Sequence, residues 1–295
     1  MNMQKVKVNG IEMAYLSQGQ GPIVLLLHGF PDNADTWSAQ MECFAGSGYR
    51  AVAPYLRGYP PSEVPIDGYF DKATLVADIA AFIKTIGGGE PVHFVGQDWG
   101  AIVGYGLCAA YPELINRAVL MAVPHPKEVS KSLVDPKHVQ RSFHWWFFQQ
   151  ADLPEQAILA NNMAFIDYLW TYWCAQGYKD DVHIGNIKNM LSAPGVLGAT
   201  LGYYRAMFDV SKADPRLSEL RANMDRNICV PTMALCGEED QRAELMRNQE
   251  KYFAGEYQYG EIPKAGHFLH REQPTLVNRA LLQWFEKQRE PTHSK

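Results

Sequence analysis

The chain has 295 residues, of which 47% are hydrophobic and 20% charged, with a formal net charge of -5. This composition predicts a globular protein with one core domain and an insertion. The slightly acidic balance argues against a nucleic-acid partner, because phosphate would be repelled. Five scattered cysteines without a C-x-x-C pair indicate neither a disulfide framework nor a metal site.

The N-terminus, residues 1–10, lacks the apolar stretch of a signal peptide. No apolar run approaches the roughly 18–20 residues that cross a bilayer. We therefore expect a soluble cytoplasmic protein without a membrane partner, and a homodimer stays possible.

Strands and helices alternate in the first part of the chain. Two strands, 5–8 and 12–16, flank Asn9-Gly10, a strong hairpin signal. The uninterrupted apolar run 23–27 predicts a strand that is buried on both faces of a sheet. Further strands are predicted at 49–53, 92–95 and 118–122, and helices at 36–45, 75–86 and 101–111.

The alternation stops at about residue 125 and resumes after residue 227. The intervening stretch is rich in aromatic residues, lacks a buried-strand signal and is predicted to be helical. Beyond it we predict strands at 232–236 and 257–262, helices at 242–253 and 275–288, and a disordered tail at 290–295. These elements predict a mostly parallel sheet in a core domain (1–124 and 228–295) and a helical lid, or cap, domain (125–227).

The segment Gly96-Gln97-Asp98-Trp99-Gly100 carries the main chemical signal. It follows a predicted buried strand and opens a helix, and a G-x-nucleophile-x-G pattern in that context is a nucleophile elbow. The adjacent helix N-terminus would stabilise a carboxylate. Asp98 is therefore the candidate nucleophile, and the alternative is that it only caps the helix. No G-x-S-x-G occurs, which disfavours a serine esterase or C–C hydrolase.

Two loops supply partners for such a nucleophile. The HGFP loop after the first buried strand would contribute the Phe30 amide to an oxyanion hole, and the Trp99 amide would be the second donor. His28 is interpreted as a structural hydrogen-bonding residue. His267, in a Gly-containing loop after the last strand, is the candidate general base.

An acid that orients His267 is predicted in the turn after the strand at 232–236. Asp240 is the preferred candidate, and Glu238 and Glu239 remain alternatives. We interpret five other histidines as non-catalytic: His93, His138, His183, His270 and His293.

Taken in order, HGFP (28–31), GQDWG (96–100), VPHP (123–126), the acid turn (237–240) and GHF (266–268) resemble the α/β-hydrolase-fold epoxide hydrolases. The resemblance covers nearly the whole chain and implies that fold. The family places two lid residues over the epoxide oxygen, normally tyrosines. Tyr204 matches one of them, with Tyr203 as the fallback. His144, followed by Trp145, stands at the other position.

The resemblance implies that an epoxide becomes a vicinal diol through an ester on Asp98, hydrolysed by water that His267 and Asp240 activate, without metal or cofactor. The substrate would be a small apolar epoxide bound near Trp145 and Tyr203. The alternative is a haloalkane or haloacid dehalogenase with the same nucleophile. Fluoroacetate dehalogenases, however, carry arginines where this chain has Trp99 and Ile102. A catalytically silent receptor is a third possibility.

Overall fold

A computed structural model describes residues 1–287. The predicted disordered tail at 290–295, His293 and the last residue of the helix predicted at 275–288 lie outside the described residues. The centre of the fold is an eight-stranded sheet in the order β1-β2-β4-β3-β5-β6-β7-β8. Its strands are β1 (Asn2–Val8), β2 (Ile11–Gly19), β3 (Ile23–Leu27), β4 (Arg50–Pro54), β5 (Val92–Gln97), β6 (Ile115–Met121), β7 (Thr232–Gly237) and β8 (Tyr257–Ile262).

The sheet is parallel except at its N-terminal edge. β1 and β2 form the predicted antiparallel hairpin, in which Val8 pairs with Ile11 and positive φ angles at Asn9 and Gly10 make the turn. β2 is antiparallel to β4, and every pair from β4 to β8 is parallel. The carboxyl ends of β3, β5, β6, β7 and β8 therefore meet at one edge, which is where ligands bind in such sheets.

The helices, numbered in chain order, fall into three groups. The core begins with α1 (Ser38–Gly46), α2 (Lys72–Ile86) and α3 (Trp99–Ala110). Between β6 and β7 lie α4 (Pro126–Ser132), α5 (Pro136–Arg141), α6 (Phe143–Phe147), α7 (Leu153–Leu159), α8 (Ala164–Trp173), α9 (Asp181–Leu191), α10 (Val196–Phe208) and α11 (Ser218–Asn223). The chain continues with α12 (Ala243–Met246), α13 (Leu269–Glu272) and α14 (Pro274–Glu286).

The prediction of one helix over residues 242–253 was wrong in its extent. Helix α12 ends at Met246, and only a short 3-10 turn follows at Glu250–Tyr252. The buried Gln249 accounts for the interruption, because its Oε1 accepts hydrogen bonds from the His125 amide (2.7 Å) and the Tyr105 hydroxyl (3.4 Å). Satisfying these buried donors outweighs the local helical preference.

The helical stretch between β6 and β7 packs on the carboxyl edge of the sheet. Trp170 of α8 stacks on Phe268 with ring centroids 3.7 Å apart. The His183 ring contacts the buried Asp32 carboxylate at 2.7 Å. This stretch therefore covers the loops that follow β3 and β8; its boundaries as a separate cap domain, 125–227, stay a prediction. Among residues 1–287 no helix is long and apolar enough to cross a membrane.

Candidate active site

The backbone of Asp98 makes a sharp turn between β5 and α3. Its φ of 51° and ψ of -118° are unusual for a residue with a Cβ. Gly96 and Gly100 make the turn possible. A Cβ on Gly96 would lie 2.3 Å from the Gly100 carbonyl oxygen. A Cβ on Gly100 would lie 2.0 Å from the Leu27 carbonyl oxygen. The sequence motif and the strand–turn–helix geometry therefore coincide.

The two oxygens of the Asp98 carboxylate have different partners. Oδ1 accepts a hydrogen bond from the Phe30 amide at 2.9 Å. Oδ2 lies 3.4 Å from Nε2 of His267. The side chain makes no hydrogen bond to the N-terminus of α3, which removes the support for a capping role. The carboxylate is therefore held between a backbone donor and an imidazole.

His267 also contacts the predicted acid. Its Nδ1 lies 3.2 Å from Oδ2 of Asp240, and Oδ1 of Asp240 accepts the Arg242 amide at 2.7 Å. The neighbouring carboxylates lie elsewhere: Glu238 is exposed, and Glu239 accepts the Gln176 amide. Of the three carboxylates in this turn, Asp240 is therefore the one that can orient the imidazole.

Charge pairing determines the protonation of these groups. Burial alone would lower the pKa of His267, but hydrogen bonds and charge from Asp240 and Asp98 raise it to about 9. Burial would raise the pKa of Asp98, but its contacts with His267 and the Phe30 amide leave it below its usual value. At neutral pH the free site therefore holds an Asp98 carboxylate beside a His267 imidazolium.

The loop that carries His267 is fixed by residues that the sequence analysis missed. The half-buried Glu272 carboxylate accepts the amides of Gly266 (2.9 Å), Phe268 (2.9 Å) and Ala175 (2.7 Å). The Gln97 side chain donates to the His267 carbonyl at 3.1 Å. Glu272 stands five residues after His267, but no local motif marks it, because its partners are backbone groups.

Tyr204 and His144 lie together near Asp98. The Tyr204 ring is edge-on to Phe30 and Trp99, with centroids 5.4 and 5.3 Å away, and 5.5 Å from the His144 ring. Burial raises the pKa of Tyr204 well above its usual value and lowers that of His144 well below its own. Both side chains are therefore neutral near pH 7, and each carries a hydrogen-bond donor.

The fallback residue Tyr203 and the pocket candidate Trp145 have other contacts. The Tyr203 hydroxyl donates to the Arg57 carbonyl at 2.7 Å, so it is already used. The buried Trp145 ring packs 6.0 Å from the His144 ring, and the guanidinium carbon of Arg242 lies 5.4 Å from the Trp145 ring centroid. Tyr204 is therefore better placed than Tyr203 as a donor to substrate.

The other described histidines have structural surroundings. His28 accepts the Leu56 amide at 3.1 Å, as expected for a structural residue. His270 contacts the Thr36 hydroxyl at 2.8 Å, and His93 packs 4.5 Å from the Phe285 ring. His138 lies against Trp145, with ring centroids 5.5 Å apart.

An apolar cleft of about 210 Å³ adjoins the pocket candidate Trp145, and neither Asp98 nor His267 is among its lining residues. Ile102, whose amide donates to the Asp98 carbonyl, forms part of its floor. Val123, Pro124, Trp145, Met207 and Phe208 are among its other lining residues. A mostly apolar cleft with few polar groups is typical of a small-molecule site.

The comparison with protein families agrees with this geometry. Residues 22–274 match the α/β hydrolase fold family, and the chain belongs to that family. The protein is thus a hydrolase, with the fold that the resemblance implied.

Named relatives extend over nearly the whole chain. This chain is 29% identical to the AB hydrolase superfamily protein YfhM of Bacillus subtilis, and the match covers 97% of this chain and 98% of that protein. It is 28% identical to Epoxide hydrolase 4 of Mus musculus, covering 93% of this chain and 76% of that protein. The crystal structure of epoxide hydrolase VrEH1 from Vigna radiata is 26% identical with a TM-score of 0.76, and the match covers 97% and 98% of the two chains.

Proposed function

We propose that this hydrolase converts a small apolar epoxide into a vicinal diol through a covalent ester on Asp98. The observation that carries the proposal is the division of the Asp98 carboxylate between two partners. Oδ1 lies in the amide pocket of Phe30, and Oδ2 faces His267. An ester formed through Oδ2 would leave Oδ1 as the carbonyl oxygen, already in contact with its oxyanion donor.

In the first step, Oδ2 of Asp98 attacks a ring carbon and the carbon–oxygen bond of the epoxide breaks. The ring oxygen becomes an alkoxide that stays attached to the substrate. The hydroxyl of Tyr204 and the neutral imidazole of His144 donate hydrogen bonds to it, and it takes up the proton that the His267 imidazolium gives up once Asp98 is esterified. Buried donors are effective here, because water does not compete for them.

In the second step, water attacks the ester carbonyl and His267 takes its proton. Esterification removes the charge of Asp98 and with it one of the two carboxylates that raise the pKa of His267. The imidazole therefore loses its proton more readily in the ester than in the free enzyme. Asp240 keeps the ring oriented, and the amides of Phe30 and Trp99 stabilise the tetrahedral oxyanion. No step calls for a metal or organic cofactor.

Trapping the ester tests this order of events. The His267→Gln variant should form one equivalent of covalent adduct with styrene oxide and then stall, since only hydrolysis is blocked. Intact-mass spectrometry would show the added mass of one substrate, and Asp98→Ala is the matched control without the nucleophile. A His267→Gln protein that turns over without an adduct would contradict the covalent mechanism.

Isotope labelling distinguishes a diol oxygen that comes from the Asp98 carboxylate from one that comes from water. In a single turnover in H₂¹⁸O with excess enzyme, the first diol should contain unlabelled oxygen from Asp98, and the label should appear in the enzyme. Direct attack of water on the epoxide would instead label the first diol.

Dehalogenation is the second candidate, favoured by the cluster of His144, Trp145 and Tyr204. These side chains carry N–H and O–H donors that could hold a departing halide at the same place as an alkoxide. Parallel assays with styrene oxide, 1-bromobutane and fluoroacetate decide between the two. Diol without halide supports the epoxide proposal, and halide without diol supports the dehalogenase.

A further inference from the structure

Arg242 is a buried cation to which, within the described residues, no carboxylate is hydrogen-bonded, although its charge helps to lower the pKa of Asp98. The residue is 5% exposed. Its Nε has no hydrogen-bond partner, and its side chain makes one long contact, from Nη2 to the Ser142 hydroxyl at 3.4 Å. Within residues 1–287 no carboxylate oxygen lies within 4.0 Å of the guanidinium. Buried arginines are normally paired, because an isolated charge is costly to remove from water.

Arg242 borders a small cavity that also adjoins the proposed general base, His267. Its lining residues are Arg141, Trp173, Asp240, Gln241, Arg242 and His267. The cavity measures about 10 Å³, which is room for about one water or one carboxylate oxygen. Nε1 of Trp173 is also buried without a partner. Two donors that lack acceptors therefore belong to residues around one space.

The charges around the cavity favour an anion. Arg141 and Arg242 both border it, and Arg141 has only an exposed, 3.8 Å contact with Glu244. The carboxylate on the cavity wall, Asp240, already accepts hydrogen bonds from the Arg242 amide and His267. The ring of Trp145, with its centroid 5.4 Å from the guanidinium carbon, makes a cation–π contact with Arg242.

We propose that Arg242 binds a carboxylate on the substrate, so that among small epoxides with an apolar body the site prefers those that also carry one carboxylate group. The inference rests on the proposed epoxide chemistry at Asp98. A guanidinium edge pairs with a carboxylate through two parallel N–H···O bonds, and Nε is free for one of them. The substrate would lie between Arg242 and Tyr204, with its apolar part against the rings of Trp145 and Trp173.

Two isosteric epoxides test the proposal: trans-3-phenylglycidate, which carries the carboxylate, and 3-phenylglycidamide, which does not. We expect wild-type kcat/KM to favour the carboxylate by about 10-fold or more, the usual effect of a charge-assisted hydrogen bond. The ratio should fall to near one in Arg242→Met, mainly through KM, and stay intermediate in Arg242→Lys. Arg247→Gln removes an exposed arginine paired with Glu261 and should leave the ratio unchanged.

A wild-type ratio of one or less would overturn the proposal, as would a ratio that survives in Arg242→Met. Equilibrium binding separates its failure from that of the epoxide chemistry. Tryptophan fluorescence should report tighter binding of 3-phenylpropionate than of its amide to wild type, and no such difference in Arg242→Met. If neither epoxide is turned over but this difference appears, the Asp98 chemistry fails and the anion site stands. Equal binding of acid and amide to wild type refutes the anion site.

Discussion

The ion pair between Asp98 and His267 makes the protonation of the histidine depend on the charge of Asp98. Two unit charges 3.4 Å apart interact by about 5 kcal/mol at an effective dielectric constant of 20 and by about 1 kcal/mol in bulk water. Each pKa unit corresponds to about 1.4 kcal/mol. Replacing Asp98 by Asn should therefore lower the pKa of His267 from about 9 by roughly one to three and a half units.

The same shift has a consequence for stability. The folded-state pKa of His267, about 9, lies above the value of 6.5 expected for an unfolded chain. Its contribution is therefore fully present below pH 6.5 and is lost as the pH rises through 9. The difference between these two pKa values corresponds to about 3 kcal/mol of folding free energy. In Asp98→Asn, the free energy of unfolding should fall less as the pH rises from 6 to 9.5.

Imidazole NMR titration measures the pKa, and the spectrum of His267→Gln identifies the resonance. Urea unfolding at pH 6 and pH 9.5 measures the stability. Asp167→Asn is the matched control, because it removes an exposed carboxylate that pairs with Lys188. A His267 pKa that stays near 9 in Asp98→Asn would show that Asp240 alone determines it, and would refute the role assigned to the ion pair.

Three further variants follow from the packing. Gly29→Ala should lower kcat/KM about 100-fold or more, because the new Cβ would lie 2.4 Å from Oδ1 of Asp98 and disturb the oxyanion pocket. Tyr204→Phe should slow ester formation by about 10²-fold while hydrolysis of the ester is spared, as stopped-flow fluorescence would show. Trp170→Ala should cost about 3–5 kcal/mol in urea unfolding, since it removes the stack on Phe268.

Each of these variants has a control or a contrary outcome. Gly46→Ala places a Cβ where nothing lies within 4 Å, so wild-type activity is expected there; activity retained by Gly29→Ala as well would contradict the packing. Equal slowing of both steps in Tyr204→Phe would point to a general disturbance of the site. A loss below about 1 kcal/mol in Trp170→Ala would mean that the helical stretch contributes little to global stability.

The sequence predicted the fold well, because its signals are local. The buried strands are short apolar runs bounded by glycine or proline, and the run at Ile23–Leu27 was located to the residue. The turn at Asp98 was equally visible from its G-x-D-x-G pattern, although the two glycines are required for different reasons: Gly96 by the nearby Gly100 backbone, and Gly100 by the distant Leu27 carbonyl.

Long-range polar contacts were not visible in the same way. Gln249 interrupts a predicted helix by bonding to His125, 124 residues away, and nothing near Gln249 indicates this. The sequence analysis placed Arg242 only at the start of a predicted helix. Its burial was not foreseen, because it depends on the distant Trp145 of α6. Choosing Asp240 among three adjacent carboxylates also required the position of His267.

The positive φ angle at Asp98 means that the backbone of this residue is strained. For a residue with a Cβ, such a conformation costs about 1–3 kcal/mol, and glycine would adopt it without that cost. The surrounding sheet and helix must supply that free energy in every molecule. Replacing Asp98 by glycine would relieve that cost but would also remove the carboxylate that pairs with His267, so activity and stability have to be measured together in variants at this position.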